Sequence, residues 1–261
     1  MARLDRILSP IGFGAFKIGR NQGIKYPSTY ELPDVQVVER LLNGVLDCGI
    51  NFIDTAPAYG MSEERIGFTI AHRRHEFLLS TKVGETYERG ESSFEFSDQG
   101  VRASIVRSLR RLRTDRLDLV FIHANRDDLR VARESDAAGT LCALRDQGTV
   151  GAVGLSAYTP QAFRVAMDWA DALMLEYHPD DTSLEPIIGE AAGRGVAVFV
   201  KKPLASGRLN PETALPYVLG NPGVRSAVVG SLDLDHIREN LRIAAEVRGS
   251  LSDETKARNR A

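Results

Sequence analysis

The chain has 261 residues, of which 43% are hydrophobic and 26% charged, and its net charge is −2 at pH 7. This balance is typical of an ordinary folded protein and does not favour nucleic acid or an anionic membrane surface as a partner. Two cysteines are too few for a disulfide framework, and no cysteine or histidine spacing predicts a metal site. The N-terminus has no apolar signal core, and no apolar run approaches the ~20 residues of a membrane span. We therefore expect a cytoplasmic protein.

Eight short β-rich runs recur along the chain, and most of them are nearly continuous in apolar residues. Such runs predict strands that are covered on both faces of a parallel sheet. The predicted strands are residues 11–16, 50–54, 77–82, 117–123, 150–156, 172–177, 196–201 and 226–230.

Amphipathic segments separate these runs. Residues 34–48 place apolar side chains close to a 3.6-residue period, and Ser62 is predicted to cap the following helix. Glycines at 49, 148 and 195 are predicted to end helices just before the next strand. The other predicted helices are 98–113, 137–147, 160–170, 184–193, 212–219 and 234–247.

Eight strands alternating with eight helices predict an α/β fold, a (β/α)8 TIM barrel formed by one domain over residues 1–261. The alternative is an open doubly wound sheet, because alternation alone does not show closure. The first strand is followed by GFGAFK and a loop rather than by a Gly-x-Gly-x-x-Gly turn into a helix, which weighs against that alternative. The long connection 17–33 is a candidate substrate loop or lid.

Four polar side chains occur at or just after the ends of three consecutive strands: Asp54, Tyr59, Lys82 and His123. Each has an ordinary structural explanation when it is considered alone, as a turn cap, a loop cover, a solvent-directed cation or a satisfied core histidine. In a barrel of this kind, however, the C-terminal ends of the strands meet around one mouth. We therefore expect the four side chains to lie close together.

This combination suits proton transfer to an oxygen atom. Asp54 would balance a buried Lys82, and the Lys82 ammonium is expected to lower the pKa of Tyr59. Tyr59 would then exchange a proton with the oxygen of a carbonyl or alcohol, while His123 hydrogen-bonds the same oxygen. The pattern predicts interconversion of a carbonyl and an alcohol.

The stretch GINFIDTAPAYGMSEERIG resembles the signature of the aldo-keto reductases. The resemblance covers nearly the whole chain, because looser motifs of the family follow in the expected order. These motifs are VRASIVRSLRRLRTDRLDLVFIHA, GAVGLSAYTP, LMLEYHP, KKPLASGRL and NPGVRSAVVGSLDLDHIRENL.

The resemblance implies a barrel that binds NADP(H), with NAD(H) possible, and a small-molecule carbonyl or alcohol substrate. It also implies that Asp54, Tyr59, Lys82 and His123 are catalytic. Phe16 and Tyr87 are expected to contact substrate together with Tyr59 and His123, in a monomer or simple homo-oligomer. The residues implied in cofactor binding are Gly14, Ala15, Ser156, Lys202, Pro203, Leu204, Ser206, Gly230, Ser231, His236, Glu239 and Asn240.

Three positions depart from the family pattern where the nicotinamide ring is held. Ala157 stands in place of an asparagine, Met174 in place of a glutamine, and Lys201 in place of an aromatic residue. Because neighbouring side chains in a strand face opposite sides, at most one of Lys201 and Lys202 is expected to face the mouth. At the adenosine phosphate, glycine and histidine replace the lysine and arginine of many members.

Two other functions remain open at this point. The four catalytic candidates could perform non-redox proton transfer, such as elimination or epimerisation. The altered ring contacts could instead mean a non-catalytic nucleotide-binding or regulatory barrel, although retention of all four side chains favours an enzyme. Segment 84–98 carries Tyr87, Phe94 and Phe96, which either line a wall of the site or anchor a loop.

Overall fold

Eight parallel strands close into a barrel in the computed structural model, which describes residues 4, 6–24 and 26–258, with side chains up to residue 250. Strand β1 (Ile11–Gly14) pairs with β2 (Phe52–Asp54) on one side and with β10 (Val224–Val229) on the other. This closure confirms the predicted TIM barrel and rules out the open doubly wound sheet. The other barrel strands are β3 (Leu78–Val83), β6 (Leu117–His123), β7 (Val150–Ser156), β8 (Ala172–Glu176) and β9 (Ala197–Lys201).

Helices connect the strands on the outside of the barrel. The predicted helix ends are confirmed, since Gly49, Gly148 and Gly195 have φ values of +90°, +84° and +73°. No helix within the described part of the chain is both long and apolar enough to cross a membrane. The α-helices are α1 (Val35–Asp47), α2 (Ser62–Thr69), α3 (Asp98–Leu112), α4 (Asp128–Glu134), α5 (Ala137–Asp146), α6 (Pro160–Ala166), α7 (Glu185–Gly193), α8 (Pro211–Gly220) and α9 (Leu234–Arg258).

The expected capping role of Ser62 is wrong. Ser62 is the first residue of α2, and the residue in the cap position is Met61, which makes no side-chain cap. The Ser62 hydroxyl instead donates to the Ala15 carbonyl oxygen at 2.8 Å and lies 2.8 Å from the Thr55 hydroxyl. A tertiary contact therefore uses the oxygen that would have capped the helix.

Aromatic side chains fill the inside of the barrel. The Phe199 ring lies 4.6 Å from the Phe52 ring and 6.0 Å from the Phe121 ring, measured between centroids. Met174 belongs to the same buried cluster. A second, larger apolar core lies between the strands and the surrounding helices. Because the interior is packed, the side chains inside the barrel leave no open channel through the described structure.

A two-stranded antiparallel hairpin follows β3, formed by β4 (Glu85–Glu88) and β5 (Glu91–Phe94). The sequence analysis predicted no strand in segment 84–98, because the segment lacks the apolar alternation that marks a half-buried strand. Phe94 stacks on Phe96 with centroids 6.2 Å apart, and Phe96 packs beside Gly84. These two phenylalanines therefore anchor the hairpin.

Candidate active site

A cavity of about 400 Å³ opens at the C-terminal ends of the barrel strands. Three of the four predicted catalytic residues, Asp54, Tyr59 and His123, line it. The fourth, Lys82, is 1% exposed and contacts Asp54 directly. The structure therefore brings together the four side chains that the strand ends predicted.

Asp54 and Lys82 form a buried ion pair. The Lys82 Nζ donates to both Asp54 carboxylate oxygens at 2.7 Å and to the Thr55 carbonyl oxygen at 2.9 Å. Ser80 adds a hydroxyl donor to Asp54 Oδ1 at 2.6 Å. Burial lowers the pKa of Lys82, while the Asp54 carboxylate acts to raise it. A fully bonded pair of this kind provides fixed charges beneath the cavity.

Tyr59 is held by a tight turn that packs against the loop after β1. It ends a short 3-10 helix, Pro57–Tyr59, and is followed by Gly60 with φ +60°. A Cβ on Gly60 would lie 2.3 Å from the Gly19 carbonyl oxygen, so this position requires glycine. The Tyr59 ring lies edge-on to Phe16, with centroids 5.1 Å apart, and Lys82 Nζ lies 4.8 Å from the Tyr59 ring centre.

The expected lowering of the Tyr59 pKa is wrong for this arrangement. Burial and the nearby Asp54 carboxylate raise the pKa of Tyr59 well above its ordinary value. The Lys82 ammonium does not reverse this, because its three N–H groups serve Asp54 and Thr55 and its charge is balanced by Asp54. Tyr59 is therefore a protonated phenol at neutral pH, which is the form that donates a proton.

His123 lies beside Glu85, a residue that the sequence analysis missed. The His123 Nδ1 atom is 2.9 Å from Glu85 Oε2, although the carboxylate lies off the direction of an aligned ring N–H bond. Burial lowers the pKa of His123, while Glu85 acts to raise it. Burial opposes ionisation of Glu85, but contacts with His123 and Ser92 outweigh it and hold the pKa of Glu85 at about 2. Glu85 is two residues beyond the end of β3. It could have been found from the sequence if the residues just after each strand had been considered together with the strand ends.

Lys201 and Lys202 both line the cavity, so the expectation that only one would face the mouth is wrong. The rule of alternation holds only within a strand, and Lys202 follows the end of β9 with φ +52°. Lys201 Nζ donates to Ser156 Oγ at 3.0 Å and to the Ala157 carbonyl oxygen at 3.1 Å. Lys202 pairs with Glu176. The pKa of Lys201 is lowered to about 7, mainly by burial and to a smaller extent by the positive charge of Lys202.

The predicted cofactor residues fall into two groups. Gly14, Lys202, Pro203, Leu204, Ser206 and Gly230 line the cavity.

The other predicted cofactor residues lie outside its lining. Ser156 is fully buried behind Lys201. Ser231 is 8% exposed and its hydroxyl accepts a hydrogen bond from the Asp233 backbone N–H, just before α9. The remaining members of this group are Ala15 and Asn240, which are buried, Glu239, which pairs with Arg242, and His236, which is exposed.

Of the predicted substrate residues, Phe16 lines the cavity with Tyr59 and His123, and Tyr87 does not. The Tyr87 ring lies 3.3 Å from the Arg20 guanidinium carbon and supports that side chain from behind. Several residues of the lining were not singled out from the sequence, and Lys17, Arg20, Tyr26 and Tyr158 are the large polar side chains that extend the site. The first three lie in the 17–33 connection, which had been considered only as a whole.

The described structure is thus a closed (β/α)8 barrel with a tyrosine, a histidine and a buried aspartate–lysine pair at its mouth. The chain belongs to the aldo/keto reductase family, whose model matches residues 10–214. It is an oxidoreductase, and its reaction belongs to the interconversion of carbonyls and alcohols. Enzymes of this family use a nicotinamide cofactor.

Individual relatives agree with this assignment. A solved structure of an aldo-keto reductase from Pseudomonas aeruginosa is 40% identical, with a TM-score of 0.86, over 94% of this chain and 93% of that one. The L-galactose dehydrogenase of Arabidopsis thaliana is 26% identical over 92% of this chain and 85% of its own length. The NADH-specific methylglyoxal reductase of Escherichia coli is 26% identical over 83% of this chain and 70% of its own length.

Proposed function

We propose that this protein is an NAD(P)H-dependent enzyme that interconverts an aldehyde, ketone or sugar carbonyl with the corresponding alcohol. The proposal takes Tyr59 as the general acid and base, Lys82 and Asp54 as the charges that set its surroundings, and His123 as the residue that orients the carbonyl. NADP(H) is the first choice of cofactor and NAD(H) the second.

The residues at the mouth fit a nicotinamide nucleotide. Gly14 and Gly230 bring bare backbone to the cavity surface, and a Cβ on Gly230 would lie 2.8 Å from the Gly14 carbonyl oxygen. Lys202 and Ser206 are suited to phosphate oxygens, and Lys201 offers a donor where Ala157 and Met174 offer none. When bound, the cofactor would supply or accept the hydride.

Tyr59 has the protonation state that reduction requires. Its phenol remains protonated at neutral pH because burial and Asp54 raise its pKa, so it can donate to an oxygen on which negative charge develops. Loss of that proton becomes favourable only as negative charge builds on the substrate oxygen and makes that oxygen the stronger base. In the reverse direction the same tyrosine accepts the alcohol proton.

His123 would hold the substrate oxygen in this proposal. Its Nδ1 is enclosed next to Glu85, while the ring itself lines the cavity. Glu85 fixes the ring orientation, and the neutral ring that burial favours would donate a hydrogen bond to the substrate oxygen in the tautomer that carries its proton on Nε2. Glu85 is a positioning residue in this proposal.

The observation that carries the proposal is the convergence of Tyr59 and His123 on one cavity above the fully bonded Asp54–Lys82 pair. A binding protein has no evident need for a buried ion pair beneath a cavity tyrosine. The same convergence would also permit proton transfer without redox chemistry, so the test must include the cofactor.

Tyr59→Phe removes only the phenolic oxygen and is the direct test. We expect kcat for carbonyl reduction to fall by about 10²- to 10⁴-fold, because general acid catalysis contributes about that much. Binding of NADPH and NADH, followed by protein fluorescence, should remain within about twofold of wild type. Equal turnover in the two proteins would exclude the role of Tyr59, and turnover without any cofactor would favour the non-redox reaction.

A further inference from the structure

Two cations of the 17–33 connection line the cavity without an ion-pair partner among the described residues. Lys17 makes no hydrogen bond or ion pair with any described residue, and Arg20 forms no ion pair among them. Among the other charged groups of the lining, Asp54 contacts Lys82, Glu85 contacts His123 and Lys202 contacts Glu176, while Lys201 donates to Ser156 and Ala157. The charge of Arg20 also acts on Glu85, although the two groups form no ion pair. The 17–33 connection therefore contributes two positive charges to the cavity.

Aromatic rings hold both cations in place. Lys17 Nζ lies 4.4 Å from the Tyr26 ring centre and 5.6 Å from that of Tyr30. The Arg20 guanidinium carbon lies 3.3 Å from the Tyr87 ring centre. Cation–π contacts of this kind fix a charge without neutralising it. Burial lowers the pKa of Lys17, because its ammonium group has lost part of its hydration and no anion replaces it.

Arg20 is directly attached to the turn that carries Tyr59. Its Nε donates to the Gln22 carbonyl oxygen at 2.8 Å and its Nη1 to the Ala58 carbonyl oxygen at 3.0 Å. The Nη2 group has no acceptor among the described residues, so it retains its hydrogen-bonding capacity. A ligand anion at Arg20 would thus lie in the same cavity as Tyr59, beside the turn that carries it.

These cations belong to a different side of the mouth from the residues suited to cofactor phosphate. Arg20 contacts Ala58, which follows β2, and Tyr87 of the hairpin after β3. Lys202 and Ser206 follow β9. The barrel places β2 and β3 next to each other, with β1 and β10 between them and β9.

We propose that the substrate of this enzyme carries a carboxylate, which Arg20 and Lys17 bind while the carbonyl faces Tyr59. This inference rests on the proposed function, and it narrows the substrate class to small carbonyl acids and the corresponding hydroxy acids. A carboxylate accepts charge-assisted hydrogen bonds from Arg20 and supplies the counter-charge that Lys17 lacks.

The test compares two aldehydes that differ mainly in charge, 4-carboxybenzaldehyde and its neutral methyl ester. We expect wild type to favour the acid by tenfold or more in kcat/KM, about the value of one charge-assisted hydrogen bond. Lys17→Met should remove most of this preference by raising KM for the acid, with turnover of the ester changed by less than about twofold. Arg20→Gln also loses the hydrogen bond to Ala58 and should lower kcat for both substrates, but it should lower kcat/KM for the acid by a further tenfold or more. Arg20→Lys should restore part of the preference. Arg126→Gln is the matched control, because Arg126 lies 4.6 Å from the ring centre of cavity residue Tyr158 but does not itself line the cavity.

Three results would overturn the proposal. Wild type could use the acid and the ester equally well; the variants could impair both substrates to the same extent, as expected for a structural role; or they could weaken NADPH binding as much as acid turnover, which would assign the cations to the cofactor.

The proposed function can fail separately from the carboxylate site. Absence of turnover with both aldehydes and both cofactors would refute the carbonyl reductase. Calorimetric titration of the protein with 4-(hydroxymethyl)benzoate then tests whether Arg20 and Lys17 bind a carboxylate. Binding that weakens at least tenfold in Arg20→Gln supports the carboxylate site, and absence of binding to wild type contradicts it.

Discussion

Lys82 and Asp54 show how strongly single residues of the mouth depend on one another. Each is almost completely removed from water, and among the described residues the ammonium donates only to Asp54 and the Thr55 carbonyl. Burial of either charge alone would be unfavourable, because the protein interior cannot replace its hydration.

Removal of one partner of this pair is expected to be costly. Lys82→Met and Asp54→Asn should each lower the free energy of unfolding by about 3–5 kcal/mol, because each leaves the other group without its counter-charge. The double variant should lose much less than the sum, as urea titration of the four proteins would show.

The control for this cycle is the exposed pair of Arg164 and Glu190, whose side chains are 49% and 40% exposed. Arg164→Met should change the free energy of unfolding by less than about 1 kcal/mol. Strict additivity of the two buried substitutions would contradict the account of Lys82 and Asp54.

The lowered pKa of Lys201 predicts that the free energy of unfolding depends on pH. Burial and then Lys202 lower its pKa to about 7, Lys82 acts in the same direction, and Glu176 and Asp54 oppose the shift. An unfolded chain keeps this proton up to a pKa near ~10.4, so the unfolded state binds more protons between the two values. The contribution of Lys201 to the free energy of unfolding should therefore increase as pH rises above 7.

Lys201→Met removes this contribution. Relative to the variant, wild type should gain stability from pH 7 to pH 9, by at most about 1.4 kcal/mol per pH unit. Denaturant titrations of both proteins at several pH values would measure the difference. Parallel curves over this range would show that Lys201 keeps an ordinary pKa.

The β4–β5 hairpin is the element that delivers Glu85 to His123. Gly84 begins it with φ +103°, and a Cβ there would lie 2.3 Å from the Phe96 ring. Neither the left-handed backbone nor the close ring leaves room for a larger residue. The position of the hairpin over the cavity therefore depends on this glycine.

Gly84→Ala should displace the hairpin or Phe96 and weaken the contact of Glu85 with His123. We expect kcat/KM for carbonyl reduction to fall by about tenfold, equivalent to ~1.4 kcal/mol of transition-state stabilisation. Gly90→Ala is a matched control, since Gly90 has a similar φ of +92° but no atom within 4 Å of an added Cβ. It should leave kcat/KM within about twofold of wild type, and equal losses in both variants would exclude the contact of Gly84 with Phe96 as the cause.

Across the whole molecule, the barrel interior holds the strands together from within. Phe199 contacts Phe52 and Phe121 from the opposite side of the barrel, and all three side chains are fully buried. Loss of a large side chain in such a core leaves a cavity that the closed sheet cannot readily fill.

Phe199→Ala should lower the free energy of unfolding by about 3–5 kcal/mol. Circular dichroism and the fluorescence of Trp169, the single tryptophan, would follow the loss of the sheet and of the outer core. Phe68→Ala, at a side chain that is 60% exposed, should have a much smaller effect. A comparable loss from both would contradict the importance of the interior cluster.

The parts of this fold that could be predicted are those in which local pattern and tertiary environment agree. Apolar strands and amphipathic helices indicated the barrel, and the ends of β2, β3 and β6 indicated the four catalytic candidates. The β4–β5 hairpin could not be predicted, because its exposed strands carry no alternation of apolar and polar residues. The raised pKa of Tyr59 could not be predicted, because it depends on the burial of the phenol and on the hydrogen bonds that the Lys82 ammonium already makes. Neither quantity is contained in sequence spacing.

The ladder between β1 and β10 also constrains the order in which the molecule can be made. It pairs Ile11 with Ala227, so the first strand has no lasting partner on that side until almost the entire chain is present. During synthesis the free edge of β1 stays unpaired until the more than 200 residues that separate it from β10 have been made. Closing so long a loop costs conformational entropy before any contact between the two strands can form. Assembly of the barrel on the ribosome should therefore finish late, and nascent chains that stop before β10 should depend on chaperones.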